Sequence, residues 1–122
     1  MKVVIGGASG LIGKRLVEHL RGRGDEVVAL VRRRDPAAPW AQGARLEEWD
    51  GKSLGAWCLQ LNGADAVVNL AGASVAGKRW SAAWKQEILG SRIDSTFALV
   101  QAMAAAARKP RAFVSGSAVG YY

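Results

Sequence analysis

The chain has 122 residues, half of them apolar, and a formal charge of +7. That length and apolar fraction describe one globular domain able to bury a core, and they exclude a disordered chain. No apolar run approaches the roughly 20 residues of a membrane helix, and the N-terminus lacks the layout of a secretory signal. The single cysteine, Cys58, rules out an internal disulfide and a cysteine-rich metal site; it reads as a small core residue in a reducing, cytoplasmic setting.

The basic residues are scattered, apart from Arg32-Arg33-Arg34 and a looser group at Lys14, Arg15, Arg21 and Arg23. No nucleic-acid recognition motif accompanies them, so the charge reads as a solvated surface with one patch for a specific anion. A basic nucleic-acid binder is kept as a second alternative.

Val3 to Gly6 is a continuous apolar run, the pattern of a strand buried on both faces. Leu11 to Leu20 predicts an amphipathic helix, with Leu16, Val17 and Leu20 on one face and Lys14, Arg15, Glu18 and Arg21 on the other. Gly24 is its stop, and His19, amid charges, is a surface residue. Glu26 to Val31 is a second strand. Arg32 to Gly43, with Pro36 and Pro39, is a loop. Arg45 to Trp49 is a third strand, Leu54 to Leu61 a short helix ended by Asn62-Gly63, and Ala66 to Leu70 a fourth strand. Gly72 to Trp80 is a loop. Ser81 is placed to cap a helix running to Gly90. A long helix follows, with Ile93, Phe97, Val100 and Ala104 on a stripe expected to pack on the sheet, closed by Pro110. Ala112 to Ser115 is a fifth strand.

Strands alternating with helices imply an α/β fold with a doubly wound parallel sheet, order 3-2-1-4-5 under right-handed crossovers. Ligands of such sheets lie at the carboxyl ends of strands 1 and 4. A sixth strand is usual on the same edge, so residues 1–122 read as the front part of a longer protein, truncated after the fifth strand.

Between the first strand and the first helix stands Gly7-Ala8-Ser9-Gly10-Leu11-Ile12-Gly13. Strand, glycine turn and helix form the context of a dinucleotide phosphate loop. Residues without a Cβ permit the turn, and the helix N-terminus offers N–H groups and a favourable dipole to a pyrophosphate. A Walker-type loop fails at Ala8 and Arg15, where glycine and Ser or Thr are needed.

The end of the second strand selects between cofactors. An acidic residue there would bond the ribose hydroxyl of NAD; this chain has Arg32 and Arg33, whose planar forks suit a 2′-phosphate. NADP(H) is therefore expected ahead of NAD(H), with Arg32 the first choice and Asp35 a loop residue beyond. Trp49 and Asp50 end the third strand: the indole packs on an adenine ring or fills the core, and the carboxylate accepts from the adenine amino group or belongs to a loop. Asn69, Leu70, Ala71 and Gly72 end the fourth strand, where small residues let a ribose approach and Asn69 can fix the turn. Ser115 and Ser117 end the fifth, where hydroxyls face a substrate oxygen. No metal-ligand spacing and no Ser-His-Asp arrangement is present.

Taken together, 5–13, 67–72, Gly77-Lys78-Arg79-Trp80, Gly90-Ser91-Arg92-Ile93 and 113–122 resemble the NAD(P)-dependent epimerase/dehydratase family, the extended or atypical branch of the short-chain dehydrogenase/reductases, in an epimerase-like subgroup. The resemblance covers the whole chain. It implies an NAD(P)-binding Rossmann domain over residues 1–122, followed by a substrate region. It assigns the pyrophosphate to Gly7, Gly10 and Gly13, the 2′-phosphate to Arg32 and the ribose side to residues 69–72. Arg92 falls near the cofactor or is tied to the long helix. Ser117, or Ser115 by a one-residue shift, takes the place of the catalytic Ser or Thr. The implied activity is an NADP(H)-dependent oxidoreductase or epimerase acting on a carbonyl compound or sugar nucleotide, with a homodimer as an expected assembly. The alternative is a non-catalytic NADPH-binding sensor. Two departures stand out. Gly6 replaces the usual threonine, and the Tyr-x-x-x-Lys pair is absent, only Tyr121 and Tyr122 being present.

Overall fold

Three consecutive valine and isoleucine side chains in β1 (Lys2–Gly6) are buried although successive side chains point to opposite faces. Both faces of the sheet are therefore covered at β1. The computed structural model describes residues 1–8, 10–70 and 82–115, with the backbone alone for residues 11 and 82–92. β1, β2 (Glu26–Val31), β3 (Arg45–Glu48), β4 (Ala66–Asn69) and β5 (Ala112–Ser115) form one parallel five-stranded sheet, order β3-β2-β1-β4-β5. This is the expected doubly wound, Rossmann-type order.

On one face, Val17 and Leu20 of α1 (Leu11–Gly22) pack with Val3, Ile5, Val27, Ala29, Val31 and Leu46. On the other, Ala98, Leu99 and Ala102 of α2 (Ala82–Ala105) join Trp57 and Leu61 over Val4, Val28, Leu30 and Val67. His19 is exposed, and Cys58 is half-buried against this second core.

Three expectations need correction. The segment after β3 is a 3₁₀ stretch, Ala56–Leu61, preceded by an extended Gly55, so the helical turn starts two residues later than expected. α2 continues through Gly90 as a single helix; one interior glycine costs only about 1 kcal/mol, too little to end it. Most consequential, the stripe on α2 does not pack on the sheet. Ile93 and Phe97 are 66% and 61% exposed, and Val100 is exposed too. The buried residues are Ser95, Ala98, Leu99 and Ala102, which at 3.6 residues per turn lie opposite the stripe. Small side chains at 95, 98 and 102 let the helix lie close to the strands. α2 is apolar on both sides, so periodicity alone could not choose between them.

The two edges of the sheet differ in chemistry. β3 carries Arg45, Glu47 and Glu48, charges of the kind that discourage edge pairing. β5 reads Ala112-Phe113-Val114-Ser115, with no charge and with Val114 exposed.

Candidate functional site

The parallel register brings five residues into one rung at the carboxyl edge of the sheet: Glu47, Leu30, Gly6, Asn69 and Ser115. Around this rung stand most of the residues singled out from the sequence.

Directly after β1 the backbone turns at Gly7, whose φ of +78° suits a residue without a Cβ. The Gly10 N–H donates to the Gly7 carbonyl at 3.2 Å, and the Gly10 carbonyl accepts the first bond of α1, from Lys14 at 2.9 Å. Gly10 is the N-cap. It supplies no side-chain acceptor, and no acidic residue stands in the first turn. The helix thus begins with N–H groups that no cap satisfies, at the positive end of its dipole. The glycines are not equivalent. A Cβ on Gly10 would meet only the Gly7 carbonyl, at 3.5 Å, whereas one on Gly13 would stand 2.5 Å from that oxygen and 2.7 Å from the Ala8 Cα. Gly10 leaves space outside the loop; Gly13 lets the helix lie against the turn at Gly7 and Ala8. Ile12 is exposed. Ser9 and the Leu11 side chain lie outside the described residues.

Arg32 and Arg33 follow β2 and are exposed. Among the described residues neither forms an ion pair. The Arg34 N–H donates to Glu48 Oε2 at 3.3 Å, tying this segment to β3; Asp35 is exposed in the loop beyond.

Of the two readings of Trp49, burial matches the core one. The residue is 7% exposed, and its ring meets Trp57 edge to face, centroids 5.2 Å apart. Asp50 caps a turn. Its Oδ1 accepts from the backbone N–H groups of Ser53 at 2.7 Å and Lys52 at 2.9 Å. These bonds, the one from Ser53 foremost, lower its pKa from 3.8 to about 2. A carboxylate depressed in this way contributes stability that is complete above its unfolded value and is lost as pH falls through its folded one. Thermal melting of the protein from pH 5 to pH 2 should therefore show a decline between pH 3.8 and 2 that is steeper than the one in Asp50→Ala, which keeps only the contribution of the other carboxylates. Parallel curves for the two proteins would contradict the cap.

Asn69 is buried, and its Nδ2 donates to Ser95 Oγ and Thr96 Oγ1, both at 3.1 Å. It therefore fastens β4 to α2, an anchor not foreseen from the sequence; the signal was the polar Ser95 on the helix face that also carries Ala98, Leu99 and Ala102. The Leu70 N–H donates to the Gly6 carbonyl at 2.8 Å, holding the two strand ends together. Ser115 ends β5 and is exposed beside Asn69 in the rung. Ala71, Gly72 and Ser117 lie outside the described residues, as does the Arg92 side chain. A cavity of about 500 Å³ runs along β3, lined by Arg34, Gln42, Arg45 and Glu47 among others, none from the glycine loop. Among the described residues no group of three His, Cys, Asp or Glu side chains is placed to hold a metal ion. No helix there is long and apolar enough to cross a membrane.

Comparison with known proteins points the same way. The profile of the NAD dependent epimerase/dehydratase family matches residues 3–122. The epimerase family protein SDR39U1 of Bos taurus is 36% identical across the whole chain, and an epimerase family protein of Mycobacterium tuberculosis is 42% identical over 98% of it. The crystal structure of the human epimerase family protein SDR39U1 with NADPH superposes with a TM-score of 0.76 at 34% identity, covering all of this chain. The chain spans about 38% of the length of these relatives.

Proposed function

Because the chain belongs to the NAD dependent epimerase/dehydratase family, we propose that residues 1–122 are an NAD(P)-binding domain that holds NADP(H) for an oxidoreductase or epimerase reaction on a small carbonyl or sugar-nucleotide substrate. The observation that carries this reading is the start of α1: an N-terminus without a side-chain cap, fronted by a glycine whose Cβ position is open. Such a terminus suits a pyrophosphate. NADPH in the human relative supports the choice of cofactor, as do Arg32 and Arg33, exposed and without an ion pair among the described residues.

In this reading Gly7, Ser9, Gly10, Leu11, Ile12 and Gly13 hold the pyrophosphate and Arg32, with Arg33, the 2′-phosphate. Residues 69–72 flank the ribose nearer the nicotinamide, and Arg92 supports that side. Asp50 marks the adenine end. Hydride transfer is the chemistry a bound nicotinamide supplies. The hydroxyl of Ser117 or Ser115 donates to the substrate oxygen. Residues 1–122 hold no Tyr-x-x-x-Lys pair for general acid–base work, so by themselves they are expected to be inert; a non-catalytic NADPH-binding sensor is the second reading. Titration of the tryptophan emission should show NADPH binding, and NADPH consumption with aldehydes, ketones and quinones should stay at background. Failure to bind either nucleotide would overturn the proposal; robust turnover would overturn the inert reading.

For the expected homodimer two contacts are proposed, the uncharged edge of β5 and, second, the outward stripe of α2 with Ile93, Phe97 and Val100. Where the stripe is the contact, Phe97→Glu is expected to lower the mass measured by light scattering from dimer to monomer, and an unchanged mass would leave the contact to the edge of β5.

A further inference from the structure

We infer that Trp49 is a positioning residue: its indole, wedged between Gly6 and Trp57, sets where the 50–53 turn stands at the carboxyl edge of the sheet, and so how well that edge receives the adenine half of a dinucleotide. The inference rests on the proposed function.

The wedge is tight on each side. A Cβ on Gly6 would stand 3.0 and 3.1 Å from Cζ2 and Cη2 of Trp49 and 3.3 Å from Asn69 Oδ1. Asn69 cannot give way freely, because its amide is bonded to Ser95 and Thr96 on α2. Behind the indole stands Trp57 at 78° to it. Trp57 is fixed in turn, since its Nε1–H donates to the Ser53 carbonyl at 3.1 Å, in the turn that Asp50 caps. The Trp49 backbone is tied to the end of β2 through Val31, at 3.0 Å. Contacts therefore run without a gap from residue 6, through two rings, to the 50–53 turn. The space beside residue 6 is taken by the benzo edge of Trp49. Any side chain at residue 6 would push the rings, and with them the turn.

The adenine half is common to NADPH and NADH. Gly6→Ala is thus expected to weaken both by the same factor, about tenfold, or about 1.4 kcal/mol of binding free energy, with their ratio unchanged. Gly6→Ala/Trp49→Phe, with a smaller ring, should restore both affinities. The far-ultraviolet circular dichroism couplet of the paired indoles gives a readout without nucleotide: altered in Gly6→Ala and abolished in Trp49→Phe. Unchanged affinities with a wild-type couplet would overturn the inference, and so would a loss confined to NADPH or a loss the double variant does not repair. Should Gly6→Ala fail to fold, Trp49→Phe alone decides: equal weakening of both nucleotides supports the inference, and no change overturns it. Wild-type protein that binds neither nucleotide overturns the proposed function, and this inference with it.

Discussion

Arg32→Ala is expected to cost the protein its preference for NADPH while leaving NADH binding where it was. Arg32 stands one residue past β2, exposed, and among the described residues it has no carboxylate partner. Its guanidinium is therefore available without breaking an existing pair. A hydrogen bond to a charged group contributes about 1.5–3 kcal/mol, so the ratio of the two dissociation constants should fall by about tenfold or more. NADH lacks the 2′-phosphate and serves as the internal control. Raising the salt concentration should shrink the wild-type preference, because an exposed pair is screened. Equal affinities for the two nucleotides in the wild type, or a variant that keeps its preference, would sink the assignment of Arg32. Loss of preference in Arg33→Ala alone would move the role by one residue.

The second large effect separates two glycines three residues apart. Gly13→Ala should destabilise the fold itself, since its methyl would enter space held by the Gly7 carbonyl and the Ala8 Cα, both backbone atoms that cannot swing aside. Overpacking of this kind costs about 1–3 kcal/mol, occasionally more, and contacts this short place Gly13 at the upper end. Gly10→Val should do the reverse. Its φ of −73° is open to any residue, and its Cβ would find only an oxygen at 3.5 Å. The variant should melt within about 1 kcal/mol of wild type, the scale of an N-cap exchange, yet lose NADPH, because a branched side chain would occupy the approach to the loop. Denaturant unfolding and nucleotide titration on the same two proteins test the pair. A stable Gly13→Ala would overturn the close packing assigned to Gly13, and a Gly10→Val that binds normally would show that the glycine loop is not the phosphate site described.

What the sequence revealed and what it hid follow from range. The glycine loop was legible because its geometry is settled within seven residues, and β2 was bounded as expected because Gly24 stops one element and an unbroken apolar run makes the next. Strand order followed from handedness, a property of the chain rather than of any one residue. Trp49 was ambiguous because its role depends on residues 6 and 57, which no local pattern connects to it. The bond from Asn69 to α2 spans 26 residues and was invisible for the same reason. The stripe on α2 misled because hydrophobic periodicity reports that a face is apolar, not what it meets; small residues on the opposite face won the sheet by allowing closer approach.

One consequence of the strand order concerns biosynthesis. β1 emerges first, yet it occupies the middle of the sheet and needs a neighbour on each side. β2 supplies one soon after α1. The other, β4, pairs Val3 with Ala66 and so comes from much further along the chain. At about 5–20 residues per second, the stretch from Val31 to Asn69 takes about 2–8 s to appear. For that interval a nascent strand of valine and isoleucine has one side unhydrogen-bonded, the kind of exposed template on which other chains assemble. The β1-α1-β2 unit must therefore hold together while it waits, and a codon change that slows synthesis between residues 31 and 69 would lengthen the interval in which that strand edge is open.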